Sequence, residues 1–270
     1  MSKKRILIIA DKHCGHRTGL TPPAWQEKLV KDGSSTKHNK WAILQRELWQ
    51  KYVNLLSKHA PYDLAIDMGD QIDGNGWRSG GTELITTDRD EQVNMAVECC
   101  DTVRLYANKG FKWYGVFGTA YHTGEQEDWE NRVAKDAGFE KIGSHEWLDV
   151  NGCIIDCKHH CGSSSVPHGR FTQPAKEKLW NVLWAERGLV PSANIILRAH
   201  VHYATYCGSP GWVAMTLPAL QGMGSRYGSR RCSGTVDWGI TVIDVESNGS
   251  FDWIMESSQI SAQICKAIKV

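Results

Sequence analysis

Five short apolar segments of this 270-residue chain each run into histidine or aspartate. They are rich in β-formers and stop at polar residues or Gly-rich turns, which is typical of buried strands. The polar ends read Asp11-Lys12-His13, Gly69-Asp70-Gln71-Ile72-Asp73, Gly118 to His122, His159-His160 and His200-Val201-His202. Amphipathic helical segments such as Lys40 to Lys58 separate several strands, so the pattern predicts an α/β fold.

The placement of these residues predicts a metal site. In α/β sheets, ligands bind beyond the carboxyl ends of the strands, where the five polar ends would meet. The D-x-H and H-x-H pairs put two side chains on the same face of an extended segment, so each pair can chelate. Carboxylates and neutral imidazoles without thiolates suit Mn, Fe, Zn or Co. The candidates outnumber the ligands of one ion, which favours two metals sharing a bridging carboxylate.

The five polar ends resemble, in order, the motifs of the calcineurin-like metallophosphoesterases. Those enzymes carry D-x-H, G-D-x-x-D, G-N-H-[DE], a lone His and G-H-x-H. The resemblance spans residues 11 to 202, about three quarters of the chain. It implies a four-layer αββα sandwich of two mixed β-sheets flanked by helices, with the motif loops assembling a binuclear centre.

Roles for individual residues follow from this resemblance alone. It implies a first metal held by Asp11, His13 and His202, a bridging Asp70, and a second metal held by His159 and His200. Choosing His159 over its neighbour His160 rests on the same analogy. Both ions would be divalent, with manganese the first choice and iron, zinc, cobalt or nickel the alternatives. A metal-bound hydroxide would then attack the phosphorus of the ester.

Two motifs depart from the family pattern. Ala199 replaces the usual glycine before His200, a change that keeps both histidines of that motif. The usual Gly-Asn-His is Gly118-Thr119-Ala120-Tyr121-His122, so the asparagine is missing and the histidine comes two residues late. We expect His122 to keep the family's role as the catalytic acid near the leaving group. The alternatives are that His122 is itself a ligand, or that Thr119 offers a weak oxygen ligand.

Composition limits the class of protein and the compartment. A hydrophobic fraction of 41% is ordinary for a globular chain, and we expect one metallophosphoesterase domain over residues 1–256 with a tail or short helix over 257–270. The net charge of +1 does not favour a broad nucleic-acid surface. No signal peptide or membrane span is visible, so a cytoplasmic protein with no membrane partner is expected. The nine scattered cysteines agree with that compartment.

The cysteines at 153, 157 and 161 leave two interpretations open. Their spacing of four allows a thiolate metal site, although structural zinc usually takes closer pairs. The other interpretation places Cys153 and Cys157 in a buried strand, as small apolar residues.

Three features bear on the substrate. The glycine-rich loop Gly74 to Gly81 is either a cap over the metals, with Arg78 meeting phosphate, or a surface turn. Residues 222–233 carry Arg226, Tyr227, Arg230 and Arg231, a compact basic-aromatic cluster or a solvated loop. Trp77 and Trp212 are loop candidates for stacking a base.

The preferred function is metal-dependent hydrolysis of phosphate esters, with phosphodiesters ahead of monoesters. A small-molecule phosphoester or a nucleotide is the expected substrate, and the oligomeric state is not predicted. The alternatives are a noncatalytic binding module on the same fold and a DNA or RNA exonuclease. An exonuclease would call for a wide basic groove, which the near-neutral charge does not favour.

Overall fold

The computed structural model describes residues 2–30, 39–123, 129–224 and 236–260. These residues form two mixed β-sheets. The strands are β1 (Lys4–Ile9), β2 (Tyr62–Asp67), β3 (Ala107–Val116), β4 (Lys141–Gly143), β5 (Glu146–Val150), β6 (Cys153–Cys157), β7 (Ile195–Arg198), β8 (Thr205–Ser209), β9 (Trp212–Thr216), β10 (Trp238–Val245) and β11 (Phe251–Ser258). The six-stranded sheet has the order β11-β10-β1-β2-β3-β4, and the five-stranded sheet has the order β5-β6-β7-β9-β8.

Five α-helices flank the sheets in the described part of the chain. They are α1 (Lys40–His59), α2 (Arg89–Arg104), α3 (Ala120–Thr123), α4 (Trp129–Asp136) and α5 (Thr172–Ala185). The α2 helix is capped at its N-terminus by the Asp88 carboxylate, which accepts the amides of Asp90 and Glu91. No helix among the described residues is both long and apolar enough to cross a membrane.

Three apolar clusters separate four layers. The largest lies between the six-stranded sheet and helices α1, α2 and α4, and it contains Leu48, Val93 and Trp113. The second lies between the two sheets, where Ile8 and Ile66 meet the Leu197 face of the other sheet. A small third cluster lies on the outer face of the five-stranded sheet, which α5 contacts. The predicted αββα arrangement of two mixed sheets and flanking helices is therefore confirmed.

The parallel strands determine where the polar ends lie. In the six-stranded sheet β1, β2 and β3 are parallel, and in the other sheet β6 and β7 are parallel. The five polar segments follow the carboxyl ends of these five strands. Both sheets therefore contribute residues to one edge of the sandwich.

Three local features concern the Asn151-Gly152 turn, the cysteines of β6 and the end of the last strand. The Asn151-Gly152 turn joins β5 to β6, and both residues have positive φ as a type I′ turn requires. Cys153 and Cys157 lie buried in β6 as free thiols of the core between the sheets, so the interpretation as small apolar residues holds. Strand β11 continues to Ser258, so the first two residues of the expected tail are part of the sheet. Residues 261–270 lie outside the described residues.

Candidate metal centre

Left-handed backbone conformations mark the turns after β1, β2 and β7. Five residues there have positive φ: Asp11 (51°), His13 (45°), Asp70 (50°), His200 (70°) and His202 (53°). Among the described residues the only other non-glycine case is the hairpin residue Asn151. Such conformations are unfavourable for residues with a β-carbon, and they concentrate at functional sites. The chain therefore accepts strain at five of the six residues predicted to hold metals.

The strained turns are held together by backbone hydrogen bonds. The amides of Asp11, His13 and Cys14 donate to the carbonyls of Gly69, Asp70 and Gln71, at 2.9–3.0 Å. These three bonds tie the turn after β1 to the turn after β2. The two predicted aspartates thus belong to one rigid double turn.

The predicted ligands converge in overlapping groups. Three groups have candidate ligand atoms within 4.8 Å of one another: Asp11–His13–His202, Asp70–His159–His200 and His13–Asp70–His122. Asp70 belongs to two of them, with its Oδ2 3.1 Å from His159 Nε2 and 3.9 Å from His13 Nε2. It therefore lies between the residues assigned to the first and the second metal, where a bridging ligand would be.

The first group brings three ligand atoms close together. His202 Nε2 lies 3.1 Å from Asp11 Oδ1 and 3.3 Å from His13 Nε2. Asp11 and His13 are buried, whereas His202 is half-buried at the open side of the centre. Three ligand atoms from two sheets thus face a common point.

Hydrogen bonds orient the imidazoles. Nδ1 of His159 lies 2.6 Å from the Met68 carbonyl oxygen, and Nδ1 of His13 lies 3.0 Å from Asp73 Oδ1. An acceptor at Nδ1 fixes the proton there and leaves the Nε2 lone pair for a metal, as is usual for ligating histidines. Asp73 thus supports a predicted ligand histidine from outside the ligand groups.

Two buried polar atoms test whether this donor set fits a cation. Asp11 Oδ1 and His159 Nε2 have no hydrogen-bond partner among the described residues. Each faces an ionisable group at 3.1 Å: His202 Nε2 lies beside Asp11 Oδ1, and Asp70 Oδ2 lies beside His159 Nε2. The other Asp11 oxygen accepts the His200 amide at 3.3 Å, but a buried polar atom left without a hydrogen bond is unfavourable. Divalent ions in the space between these atoms would satisfy both, so the residues fit the metals.

The electrostatics of the centre favour ionised carboxylates. Burial alone would raise the pKa of Asp70, but the imidazoles of His159 and His122 hold it well below its ordinary value. Burial would lower the pKa of His159, yet Asp70 raises it to about 10. For His200, burial and the charge of His159 lower the pKa to about 4, which keeps this imidazole neutral.

His122 and Thr119 lie at one rim of the centre. His122 Nδ1 lies 2.9 Å from the Asp73 carbonyl oxygen, and its Nε2 lies 4.0 Å from Asp70 Oδ2. The Thr119 amide donates to Asp70 Oδ1 at 2.6 Å, and its hydroxyl lies 3.2 Å from the same atom. Thr119 therefore contacts the bridging candidate, while His122 is placed for either of its two predicted roles.

His159 and His160 occupy different environments. His159 is 2% exposed and its Nε2 faces Asp70, whereas His160 is exposed with its ring 4.8 Å from that of His200. The geometry therefore favours His159 as the ligand.

Of the two tryptophans predicted to stack a base, only Trp77 lies near the metal centre. Trp77 lies beside the His122 segment, but Trp212 begins β9 at the edge opposite to His200, because β7 and β9 are parallel. The arginine cluster at 226–231 lies outside the described residues, as does the Arg78 side chain.

Two buried charged features escaped the sequence analysis. Glu130 of α4 accepts the amides of Gln71 (2.7 Å) and Gly118 (2.6 Å), joining the turns after β2 and β3. Lys12 and Asp67, both fully buried, form an ion pair beneath the turns. The sequence carries a sign of each: Glu130 lies one turn before the buried Val133 on the same helix face, and Asp67 ends β2 directly after the apolar residues 64–66.

Comparisons with known proteins give structural likenesses only. No protein-family model and no curated protein matches the sequence. An archaeal phosphodiesterase structure is 10% identical with a TM-score of 0.44, covering 93% of this chain and 98% of its own. Vps29 from Cryptosporidium parvum is 11% identical with a TM-score of 0.43, and the match covers 96% of this chain and 100% of the Vps29 chain. Zinc-complexed Vps29 from Entamoeba histolytica is 12% identical with a TM-score of 0.42, and the match covers 94% of this chain and 98% of the Vps29 chain. These values are too low to carry an activity across.

Proposed function

We propose that this chain hydrolyses phosphate esters, phosphodiesters ahead of monoesters, at a centre of two divalent metals. The observation that carries the proposal is the shared position of Asp70, buried between two groups of imidazoles. In the proposed centre, Asp11, His13 and His202 hold one metal, His159 and His200 hold the other, and Asp70 bridges.

Two such ions would supply Lewis acidity that activates water and neutralises phosphoryl oxygens. The chain's own residues have the remaining tasks. Asp11 and Asp70 provide negative charge against the ions, and the pKa of Asp70 stays low enough to keep it ionised. Asp73 and the Met68 carbonyl hold the His13 and His159 rings in place. His122 keeps a proton on Nδ1 and presents Nε2 to the centre, where a second proton can pass to a leaving oxygen.

The donor set limits the choice of metal. Imidazole and carboxylate ligands without thiolate suit borderline divalent ions. All seven cysteines of the described residues are free, and none belongs to the three candidate groups. We propose manganese as the native metal, with iron, zinc, cobalt and nickel as the alternatives to be tested.

A noncatalytic binding module is the second candidate function. One observation favours it: Thr119 contacts Asp70 where the family has an asparagine ligand. Against it, a scaffold has no need for two buried carboxylates beside histidines, because buried charges are unfavourable without counter-charges. The exonuclease alternative depends on a basic groove, and the segment with the clustered arginines lies outside the described residues.

The deciding experiment combines metal analysis with paired assays. We expect purified protein to bind two metal equivalents and to hydrolyse bis(4-nitrophenyl) phosphate faster than 4-nitrophenyl phosphate with Mn²⁺. Absence of bound metal together with no turnover in any of the five ions would overturn the proposal. Metal binding without turnover would favour the noncatalytic module.

The Asp70→Asn variant tests the bridging position. We expect loss of at least one metal equivalent and a fall in kcat of about 10³-fold or more, because a neutral amide no longer balances the ions. Asp101→Asn, an exposed position on α2, is the matched control and should behave as wild type. Unchanged turnover in Asp70→Asn would contradict the assignment.

A further inference from the structure

Trp77 is a large apolar side chain left in solvent next to the metal centre. It belongs to a 3₁₀ turn, Trp77–Ser79, that follows the Asp73 motif, and it is 67% exposed. Single exposed apolar residues are common on protein surfaces. What distinguishes Trp77 is its surroundings: Gly74 and Gly76 beside it are buried.

The segment that carries Trp77 is anchored on both sides. The Gln92 side chain of α2 accepts the Gly74 amide at 2.9 Å and donates to the Gly74 carbonyl at 2.7 Å. The amides of Ser79 and Gly81 donate to the Gly76 carbonyl, at 2.9 and 3.0 Å. The indole is therefore presented by a braced turn, which lowers the conformational entropy that a ligand must remove.

This turn packs directly on the segment of His122. A β-carbon placed on Gly74 would lie 2.6 Å from the His122 carbonyl oxygen, so the backbones are in contact. The Trp77 ring lies 6.0 Å from that of Tyr121, with an interplanar angle of 41°. Tyr121 in turn lies 4.7 Å from the His122 ring, which lies 4.5 Å from His13. A continuous series of rings thus leads from solvent to the metal centre.

We infer that Trp77 and Tyr121 form a stacking platform for the nucleobase of the substrate, which makes nucleoside phosphodiesters the substrate class. The inference rests on the proposed function for the position of the phosphate. A base stacked on these rings lies beside His122, with its sugar directed toward the centre. Aromatic stacking accepts any base through its π-face, so it needs no basic groove and agrees with the net charge of +1.

Binding of a matched ligand pair tests the platform without relying on turnover. 2′-Deoxyadenosine 5′-monophosphate and 2-deoxyribose 5-phosphate differ only at C1′, where the nucleotide has its base and the sugar phosphate has a hydroxyl. We expect calorimetry on the Mn²⁺-loaded protein to show about tenfold tighter binding of the nucleotide. Trp77→Ala should remove this preference while leaving the affinity for the sugar phosphate unchanged, and Trp77→Phe should retain most of it.

The control is Trp180→Ala, since Trp180 is a similarly exposed tryptophan (52%) on α5. It should keep the preference for the nucleotide, and all variants should keep the wild-type melting temperature. Equal affinities for the two ligands in wild type, no binding of either, or a preference that survives Trp77→Ala would each overturn the inference. A protein that prefers the nucleotide but hydrolyses no ester would refute the proposed function and leave the platform standing.

Discussion

At the scale of single residues, the centre depends on side chains whose two ends have different tasks. His13 and His159 each place Nδ1 on a fixed acceptor and turn Nε2 toward a buried carboxylate. His122 repeats this arrangement with the Asp73 carbonyl as its acceptor. It does so although it lies two residues later in the sequence than the histidine of the Gly-Asn-His motif that this segment resembles. Its Nε2 can therefore carry a proton or bind a metal.

Replacing His122 separates these roles. In His122→Ala we expect two metal equivalents to remain and kcat to fall by about 10²-fold or more, because a general acid contributes on that order. The fall should be larger for an alkyl leaving group than for 4-nitrophenolate, which needs little protonation. The exposed His168 supplies a control variant, His168→Ala. Loss of one metal equivalent would instead identify His122 as a ligand.

At the scale of elements, helix α4 joins the turns that carry the site. Glu130 is fully buried and accepts one amide from the turn after β2 and one from the turn after β3. Burial, and to a lesser extent the charge of Asp70, raise the pKa of Glu130 to about 8. This carboxyl group acts as a cross-link that both turns share.

The Glu130→Gln variant tests the cross-link. A glutamine oxygen can accept only one of the two amides, so in EDTA at pH 5 we expect the free energy of unfolding to fall by about 1–3 kcal/mol. Urea titrations would measure this, with the exposed Glu140→Gln as control. Equal stability of Glu130→Gln and wild type at pH 5 would contradict the role.

The Glu130→Gln variant should also change how the free energy of unfolding depends on pH. A folded pKa of about 8 lies above the ordinary glutamate pKa of 4.5, so the folded protein binds the extra proton between these values. Stability from this group is therefore complete below the lower value and is lost as pH rises through the higher one. In EDTA, wild type should lose stability between pH 5 and 8, and Glu130→Gln should lose less. Identical slopes would refute the assigned pKa.

Close packing between turns makes Gly118 irreplaceable. A β-carbon there would overlap Oδ1 and the amide nitrogen of Asp70. We expect Gly118→Ala to displace Asp70 and to weaken metal binding by tenfold or more, as measured by titration with Mn²⁺. Gly222→Ala is the control, since its β-carbon would meet Leu48 at an ordinary 3.4 Å. Wild-type affinity in Gly118→Ala would contradict the bridging geometry.

Periodicity predicted the elements that are strongly apolar and missed those that are not. Strand β3 begins at Ala107, but its first residues are polar and largely exposed, so they form no apolar run that would predict a strand. The short β4, α3 and α4 carry too few apolar residues to show a period. The site motifs were readable because they follow strands, and the loop position of Trp77 made it a candidate for stacking a base. Glu130, by contrast, contacts two turns that are distant in sequence, which no local pattern encodes.

At the scale of the whole molecule, the centre joins two sheets that the chain builds differently. The five-stranded sheet comes from one continuous stretch, residues 146–216, whereas the other sheet combines strands from both ends of the described chain. Asp11 and Asp70 follow strands of the latter, and His159, His200 and His202 follow strands of the former. Metals bound between them would cross-link the two halves of the sandwich.

Metal binding should therefore stabilise the whole fold. At a free metal concentration of 100 Kd a ligand adds about 2.7 kcal/mol. For a chain of this size that corresponds to a rise in Tm of about 5–10 °C. We expect calorimetric scans to show this rise in Mn²⁺ relative to EDTA for wild type, and a much smaller one for Asp70→Asn. The same Tm in both buffers would contradict a cross-linking centre.

The residues with positive φ in the turns after β1, β2 and β7 have a consequence for anyone who redesigns this protein for stability. A procedure that scores backbone preference alone would replace Asp11, His13, Asp70, His200 and His202 by glycine or asparagine, which tolerate positive φ. Each exchange would relieve strain of about 1–3 kcal/mol and remove a predicted ligand. In the proposed centre, stability and metal binding would thus compete for the same five positions, and a more stable variant obtained this way would have lost its ligands.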